Sequence, residues 1–118
     1  MGRLAFVCLA LVVIAGAGQT GRELAGRLSE DWRVVFIDKD PQKLEKAIQE
    51  IPSALTHEAD ATSFLVLRDA GMEKAQVVIG LTGRDEVNLE FCKLAIKRFG
   101  MVNCCSVVTN RNFIEQFA

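Results

Sequence analysis

The sequence predicts a doubly wound α/β domain, one parallel sheet with helices on both faces, and three observations carry that expectation. Short apolar runs alternate with amphipathic stretches along the chain, the pattern of strands joined by crossover helices. A glycine-rich turn links the first run to the first amphipathic stretch, and an aspartate closes the second run. The length of 118 residues suits one hydrophobic core and leaves no room for two.

The elements follow in order. Residues 11–15 (LVVIA) are wholly apolar, as a central parallel strand must be when both its faces are covered. Residues 20–28 form a helix with Leu24, Ala25 and Leu28 on one face. Residues 33–38 (RVVFID) are the second strand. Asp40 can cap the next helix and Pro41 suits its first position, where no N–H is needed. Leu44, Ala47, Ile48 and Ile51 recur at helical spacing until Pro52 ends the segment. Residues 53–57 are a weak third strand expected at an edge. A short helix over 61–70 stops at Gly71, where a left-handed residue is wanted. Residues 77–81 (VVIGL) are the fourth strand. The helix over 85–99 has an acidic start and a basic end, both matched to its dipole, and Gly100 terminates it. Residues 102–108 are the fifth strand, and 112–118 begin a helix that the sequence does not complete. Right-handed crossovers then give the strand order 3-2-1-4-5, stopping before a sixth strand.

Composition excludes several classes. Fourteen basic against fifteen acidic residues leave a net charge of −1, so no basic surplus offers itself to nucleic acid. Cys8, Cys92, Cys104 and Cys105 form no C-x-x-C pair, and His57, the sole histidine, has no cysteine near it in sequence. Metal-site spacing is therefore absent. Cysteines in apolar runs read as small core hydrophobes in a reducing, cytosolic compartment. Cys104 and Cys105 are adjacent in a strand, point to opposite faces, and are expected in the core. The apolar run 4–15 follows Arg3 and superficially suggests a leader. It is shorter than the roughly twenty residues a membrane span needs, and 11–15 is explained as a strand. Residues 1–10 are expected to be a linker or docking extension, and 11–118 the domain.

The chemistry concentrates in Gly16-Ala17-Gly18-Gln19-Thr20-Gly21, a G-x-G-x-x-G between a buried strand and a helix. Gly16 allows the tight turn, Gly18 lets a pyrophosphate approach the backbone, and Gly21 lets helix and strand pack closely. The helix N-terminus offers free amides and partial positive charge to phosphates. Asp38 ends the next strand, 22 residues beyond Gly16, placed to accept from ribose hydroxyls and to repel a 2′-phosphate, with Lys39 adjacent to soften that repulsion. This context makes the domain Rossmann-type. Two further loops belong to the same sheet edge. In Glu58-Ala59-Asp60-Ala61-Thr62, Asp60 or Thr62 either caps the third helix or faces the adenine. Thr82 and Gly83 close the fourth strand and can line the cleft. Asn88, one turn into the following helix, is either a ligand contact or helix surface.

These motifs together resemble the TrkA N-terminal domain, also called RCK or KTN. The resemblance rests on GAGQTG, on Asp38-Lys39-Asp40-Pro41, on Asp60-Ala61-Thr62, and on Leu81-Thr82-Gly83 through Asp85-Glu86-Val87-Asn88, and runs from about Leu11 to Phe117. It implies a cytosolic gating domain of a potassium channel or transporter that changes conformation on binding NAD(H), AMP, ADP or ATP. It also implies a nucleotide site lined by Gly16, Gly18, Gly21, Asp38, Asp60 and Thr82, to which Ala17, Gln19, Thr20, Lys39, Ala61 and Gly83 are added as neighbours. Three departures stand out. Ala59 replaces a usual glycine, while Gln19 and Val107 stand where arginines are common. Losing both arginines weakens contacts to charged phosphates and disfavours tightly held ATP more than NAD or AMP.

An oxidoreductase fragment is the rival reading. The chain has no tyrosine and a single histidine, and no length remains for a substrate domain, so no catalytic role is expected. A cofactor-free scaffold that associates through its edges is the third. By the resemblance the domain pairs or forms rings, so a homodimer at the inner face of the membrane is expected, with a membrane channel or transporter subunit as partner.

Overall fold

The computed structural model describes residues 10–110 and Gln116; the expected extension before Ala10, Cys8 within it, and the start of a helix over 112–118 lie outside the described residues, apart from helical Gln116. Five parallel strands form one sheet: β1 (Ala10–Ala15), β2 (Trp32–Asp38), β3 (Leu55–Glu58), β4 (Val77–Gly80) and β5 (Cys104–Ser106), in the order β3-β2-β1-β4-β5. The expected order holds, and β3 is an edge. Four α-helices connect them: α1 (Gln19–Leu28), α2 (Pro41–Glu50), α3 (Phe64–Asp69) and α4 (Asp85–Phe99), with a short 3-10 turn at Met72–Lys74.

The two-residue period of β1 explains why the sheet is covered twice. Leu11, Val13 and Ala15 face a core shared with Leu67, Met72, Phe91 and Ala95 from the α3 and α4 side. Val12 and Ile14 face a second core with Ala25, Leu44, Ala47 and Ile51 from the α1 and α2 side. Successive strand residues point to opposite faces, so an unbroken apolar run serves both layers at once. In α2 the core stripe is Leu44, Ala47 and Ile51; Ile48, expected among them, is 44% exposed because it lies off that stripe.

Local signals place most ends. Asp40 Oδ1 accepts from the Gln42 amide at 2.9 Å and caps α2, with Pro41 in its first position. Gly71 and Gly100 take left-handed conformations, φ +88° and +66°, after α3 and α4. β3 runs over Leu55–Glu58 rather than 53–57, and two other elements differ more. α3 starts at Phe64 rather than 61, because Asp60 draws the Thr62 amide into a tight side-chain turn before the helix begins. β5 is shorter than 102–108, since its ladder to β4 spans just Cys104–Ser106. Cys105, expected in the core, is exposed, while Cys92 is buried and Cys104 lies between. β5 is an edge strand, and none of the described residues buries the Cys105 side.

The glycine turn is set by backbone contacts. Gly16 sits at φ +111°, and a Cβ there would lie 2.6 Å from the Leu81 carbonyl. A Cβ at Gly21 would lie 2.4 Å from the Gly16 carbonyl oxygen. Gly18 differs: its φ of −74° and ψ of −173° suit any residue, and nothing lies within 4 Å of a Cβ built on it. Gly21→Ala is therefore expected to destabilise the domain by about 2–3 kcal/mol, since no side-chain movement relieves a backbone clash. Gly18→Ala should change stability by less than about 1 kcal/mol. Urea unfolding of the two variants checks the pair, and equal losses would contradict this division.

Candidate functional site

The C-terminal ends of β1, β2 and β4 open onto a cleft of about 490 Å³. Such crevices are where open parallel sheets bind ligands. Of the twelve residues assigned to the nucleotide site from sequence, all but Ala17 and Gly21 line it: Gly16, Gly18, Gln19, Thr20, Asp38, Lys39, Asp60, Ala61, Thr82 and Gly83. Ala17 and Gly21 are buried behind the loop they shape.

Each wall has a definite support. Gly16 donates its N–H to the Ile37 carbonyl at 2.9 Å, continuing the β1–β2 pairing into the turn. The Asp38 carboxylate then crosses between segments: Oδ2 accepts from the Ala17 amide at 2.9 Å and Oδ1 from the Asp40 amide at 2.8 Å. Arg22 holds the loop from the other side, donating Nη1 to the Ala17 carbonyl at 2.9 Å and Nε to Glu50 at 2.6 Å. The loop is thus tied to both β2 and α2. Gly18 is the N-cap of α1 and supplies no side-chain cap. The amides of the first helical turn therefore have no intrahelical acceptor and carry the positive end of the helix dipole at the cleft floor.

The second wall is the 59–62 loop. Asp60 Oδ1 accepts from the Thr62 amide at 2.8 Å and from Thr62 Oγ1 at 2.6 Å, while Oδ2 lies 3.7 Å from Lys39 Nζ. The Thr62 hydroxyl, then its amide, with help from Lys39, holds the Asp60 carboxyl below the usual carboxylate range. Neither Asp60 nor Thr62 caps α3; Ser63 occupies that position. The loop still faces the cleft, so Asp60 shapes the turn and borders the site.

The third wall corrects an expectation. Asn88 is neither helix surface nor a cleft-lining residue: it is 1% exposed and locks the loop after β4. Its Oδ1 accepts from the Thr82 amide at 2.9 Å and from Thr82 Oγ1 at 2.7 Å. Its Nδ2 donates to the Thr82 carbonyl at 3.1 Å and to the Val107 carbonyl at 3.3 Å. Asp85, read from sequence as a dipole partner, is also a clamp. Its two oxygens accept from the Thr109 amide at 2.8 Å, the Thr109 hydroxyl at 3.0 Å and the Asn110 amide at 2.6 Å.

Sequence reasoning missed Lys43, Arg84 and Val87, which also line the cleft with Ile37, Ala59 and Leu81. Arg84 could have been found as the residue after Leu81-Thr82-Gly83. It pairs with Glu86 at 2.8 Å. Lys43 projects from the first turn of α2, which no motif marks. His57 lies in β3, partly buried, and is not among the residues lining the cleft. Among the described residues, no group of three or more His, Cys, Asp or Glu side chains could hold a metal ion. No helix among them is long and apolar enough to cross a membrane.

A parallel 3-2-1-4-5 sheet, with a glycine turn leading from its central strand into a helix at the mouth of a cleft, defines a Rossmann-type domain. The chain belongs to the TrkA-N domain family, whose model matches residues 12–118. The Trk system potassium uptake protein TrkA homolog of Archaeoglobus fulgidus is 38% identical over 105 residues, covering 89% of this chain and 23% of that protein. The chain thus spans less than a quarter of that relative's length. Among solved structures, the TrkA-N domain of inner membrane protein ybaL from Escherichia coli matches with a TM-score of 0.79 at 15% identity, covering 95% of this chain and 82% of that one. A Shewanella denitrificans Kef CTD in AMP-bound form matches with a TM-score of 0.74 at 22% identity, covering 91% and 64%. Both structural likenesses show the shared fold.

The Asp85 clamp predicts an acid response. Bonds from the Thr109 amide, then the Asn110 amide and Thr109 hydroxyl, outweigh burial and lower the Asp85 pKa in the fold. The folded state then binds the proton less readily than the unfolded state does. Its stabilisation is complete above the usual aspartate value of about 3.9 and is lost as pH falls through the lower, folded value. Asp85→Asn should lower the thermal midpoint near neutral pH and flatten the fall in stability below about pH 4. Parallel acid titrations of unfolding, wild type against variant, check this; identical slopes would refute the clamp.

Proposed function

We propose that this chain is a regulatory adenine-nucleotide-binding domain of a potassium channel or transporter. Its ligand is NAD or NADH, with AMP, ADP or ATP as alternatives, and it acts by ligand-biased conformational change rather than by catalysis. The observation that carries the reading is Gly18. The fold demands glycine at Gly16 and Gly21 through backbone clashes, yet neither space nor backbone conformation demands it at Gly18. A residue free to carry a side chain, at the N-terminus of α1 and lining the cleft, is glycine where a phosphate needs to reach the backbone amides.

The charges around the cleft support a phosphate ligand. Lys39, Lys43 and Arg84 line it together with Asp38 and Asp60. Both Asp38 oxygens already accept backbone amides, leaving further lone pairs for ribose hydroxyls. The three cations offset the absence of arginines at Gln19 and Val107. The AMP-bound form of the Kef relative and the potassium-uptake name of the Archaeoglobus relative agree with this class. Work at the inner face of the membrane, in a homodimer or larger assembly with a membrane subunit, belongs to the same proposal.

A ligand shifts such a switch by binding its two states unequally. Here the nucleotide bridges the glycine loop and the Thr82-Gly83 loop, and the latter is tied through Asn88 to Val107 after β5. Closure of the cleft is thereby passed to the segment leaving the sheet. The test is thermal unfolding with NAD, NADH, NADPH, AMP, ADP and ATP in turn. A nucleotide at a hundred times its Kd adds about 2.7 kcal/mol, a rise on the order of 10 °C at this size. Gly18→Val should keep the ligand-free midpoint within a few degrees and lose the rise. No shift with any nucleotide would refute the proposal.

A further inference from the structure

A second chemical feature lies between α4 and β5, apart from the residues that line the cleft, and does not depend on nucleotide binding. Cys92, in α4, is 5% exposed and belongs to the core beneath the sheet, with Cys104 of β5 packed against that core. The Cys92 sulfur points at β5: it lies 4.0 Å from the Cys105 carbonyl oxygen, in the same cluster against which the Cys104 side chain packs. Cys105 is adjacent in the strand and exposed on the opposite face. Two thiols from different elements therefore share one cluster, one buried and one partly exposed in an edge strand.

We propose that Cys92 and Cys104 form a peroxide-oxidisable dithiol that closes to a disulfide between α4 and β5. The Cys104 thiolate attacks one oxygen of a peroxide; the O–O bond breaks, hydroxide leaves and is protonated by solvent, and Cys104 becomes a sulfenic acid. The Cys92 sulfur then attacks the Cys104 sulfur. The S–O bond breaks, the departing hydroxide takes the Cys92 proton as water, and an S–S bond forms. Two thiols lose two electrons to the peroxide, which ends as two waters.

The roles follow from environment. The hydrogen bond from Cys92 favours the ionised form of Cys104 and lowers its pKa against the opposing effect of burial, while the same bond and burial raise that of Cys92. The less buried sulfur, Cys104, is thus the nucleophile toward peroxide, and the buried Cys92 resolves it. Closure would pin the helix whose first turns hold Thr82 and the 109–110 segment.

The experiment treats the whole chain with hydrogen peroxide, alkylates residual thiols and digests with trypsin, which cuts between the two cysteines at Lys93, Lys97 and Arg98. The expected product joins peptides 85–93 and 99–111 by a disulfide and separates again with dithiothreitol. The link should be lost in Cys104→Ser and kept in Cys105→Ser. In Cys92→Ser, Cys104 should instead be trapped as a sulfenic acid by a cyclic 1,3-dione. Wild-type protein that oxidises without this link, or a link that survives in Cys104→Ser, would overturn the proposal. The wild-type digest decides the first point even if a variant folds poorly.

Discussion

The structure depends on one crowded spot, where three backbone segments meet without side chains between them. Gly16 turns against the Leu81 carbonyl, and Gly21 backs onto the Gly16 carbonyl. Because no Cβ intervenes, α1 starts directly behind β1, and its first amides face the gap between β1 and β4. Everything that borders the cleft is then placed by short loops from neighbouring strands: Asp38 from β2, the 59–62 loop from β3, and Thr82 from β4. Moving α1 outward by even a methyl group would move the glycine loop relative to all of them, since packed interiors transmit such changes.

The loops around this spot are built by acidic and amide side chains used as hydrogen-bond hubs. Asp38, Asp60, Asp85 and Asn88 each accept two or more bonds from loop residues, Asp60 within its own loop and the other three from at least one other segment. A carboxylate accepting backbone N–H groups makes stronger bonds than a neutral acceptor. It can also replace the ladder that a loop lacks. The aspartates of these loops are thus spent on fixing backbone, while Lys39, Lys43 and Arg84 line the cleft. The overall charge of −1 conceals that local arrangement.

How much could be read from the sequence follows from which interactions are local. Strand order and the glycine turn were legible because an apolar run such as LVVIA has one stable place, the middle of a doubly covered sheet. The caps at Asp40, Gly71 and Gly100 act within a few residues and were equally plain. The start of α3 was not, because Asp60 spends its side chain on Thr62 before the helix rather than on its first turn. Asn88 was not, because its partners are six and nineteen residues away and its burial depends on how α4 lies on β4. The site residues marked by motif were brought together at one cleft, but Lys43 and Arg84 reach it through helix phase and loop direction, which periodicity alone does not supply. Cys105 was misread for a similar reason: alternation says that two neighbours face opposite ways, and not that both faces are covered.

The same anchors bind the cleft to the part of the chain beyond it. Asn88 holds Thr82 with one end of its amide and the Val107 carbonyl with the other. One turn earlier on α4, Asp85 holds Thr109 and Asn110. The loop lining the cleft and the segment leaving β5 are therefore not independent: both are tied to the first turns of a single helix. A displacement of Thr82 must either break bonds to a buried Asn88, leaving polar groups unsatisfied, or carry α4 and residues 107–110 with it. The second route keeps these bonds, so under the proposed function a nucleotide that moves the Thr82 loop also moves α4 and residues 107–110.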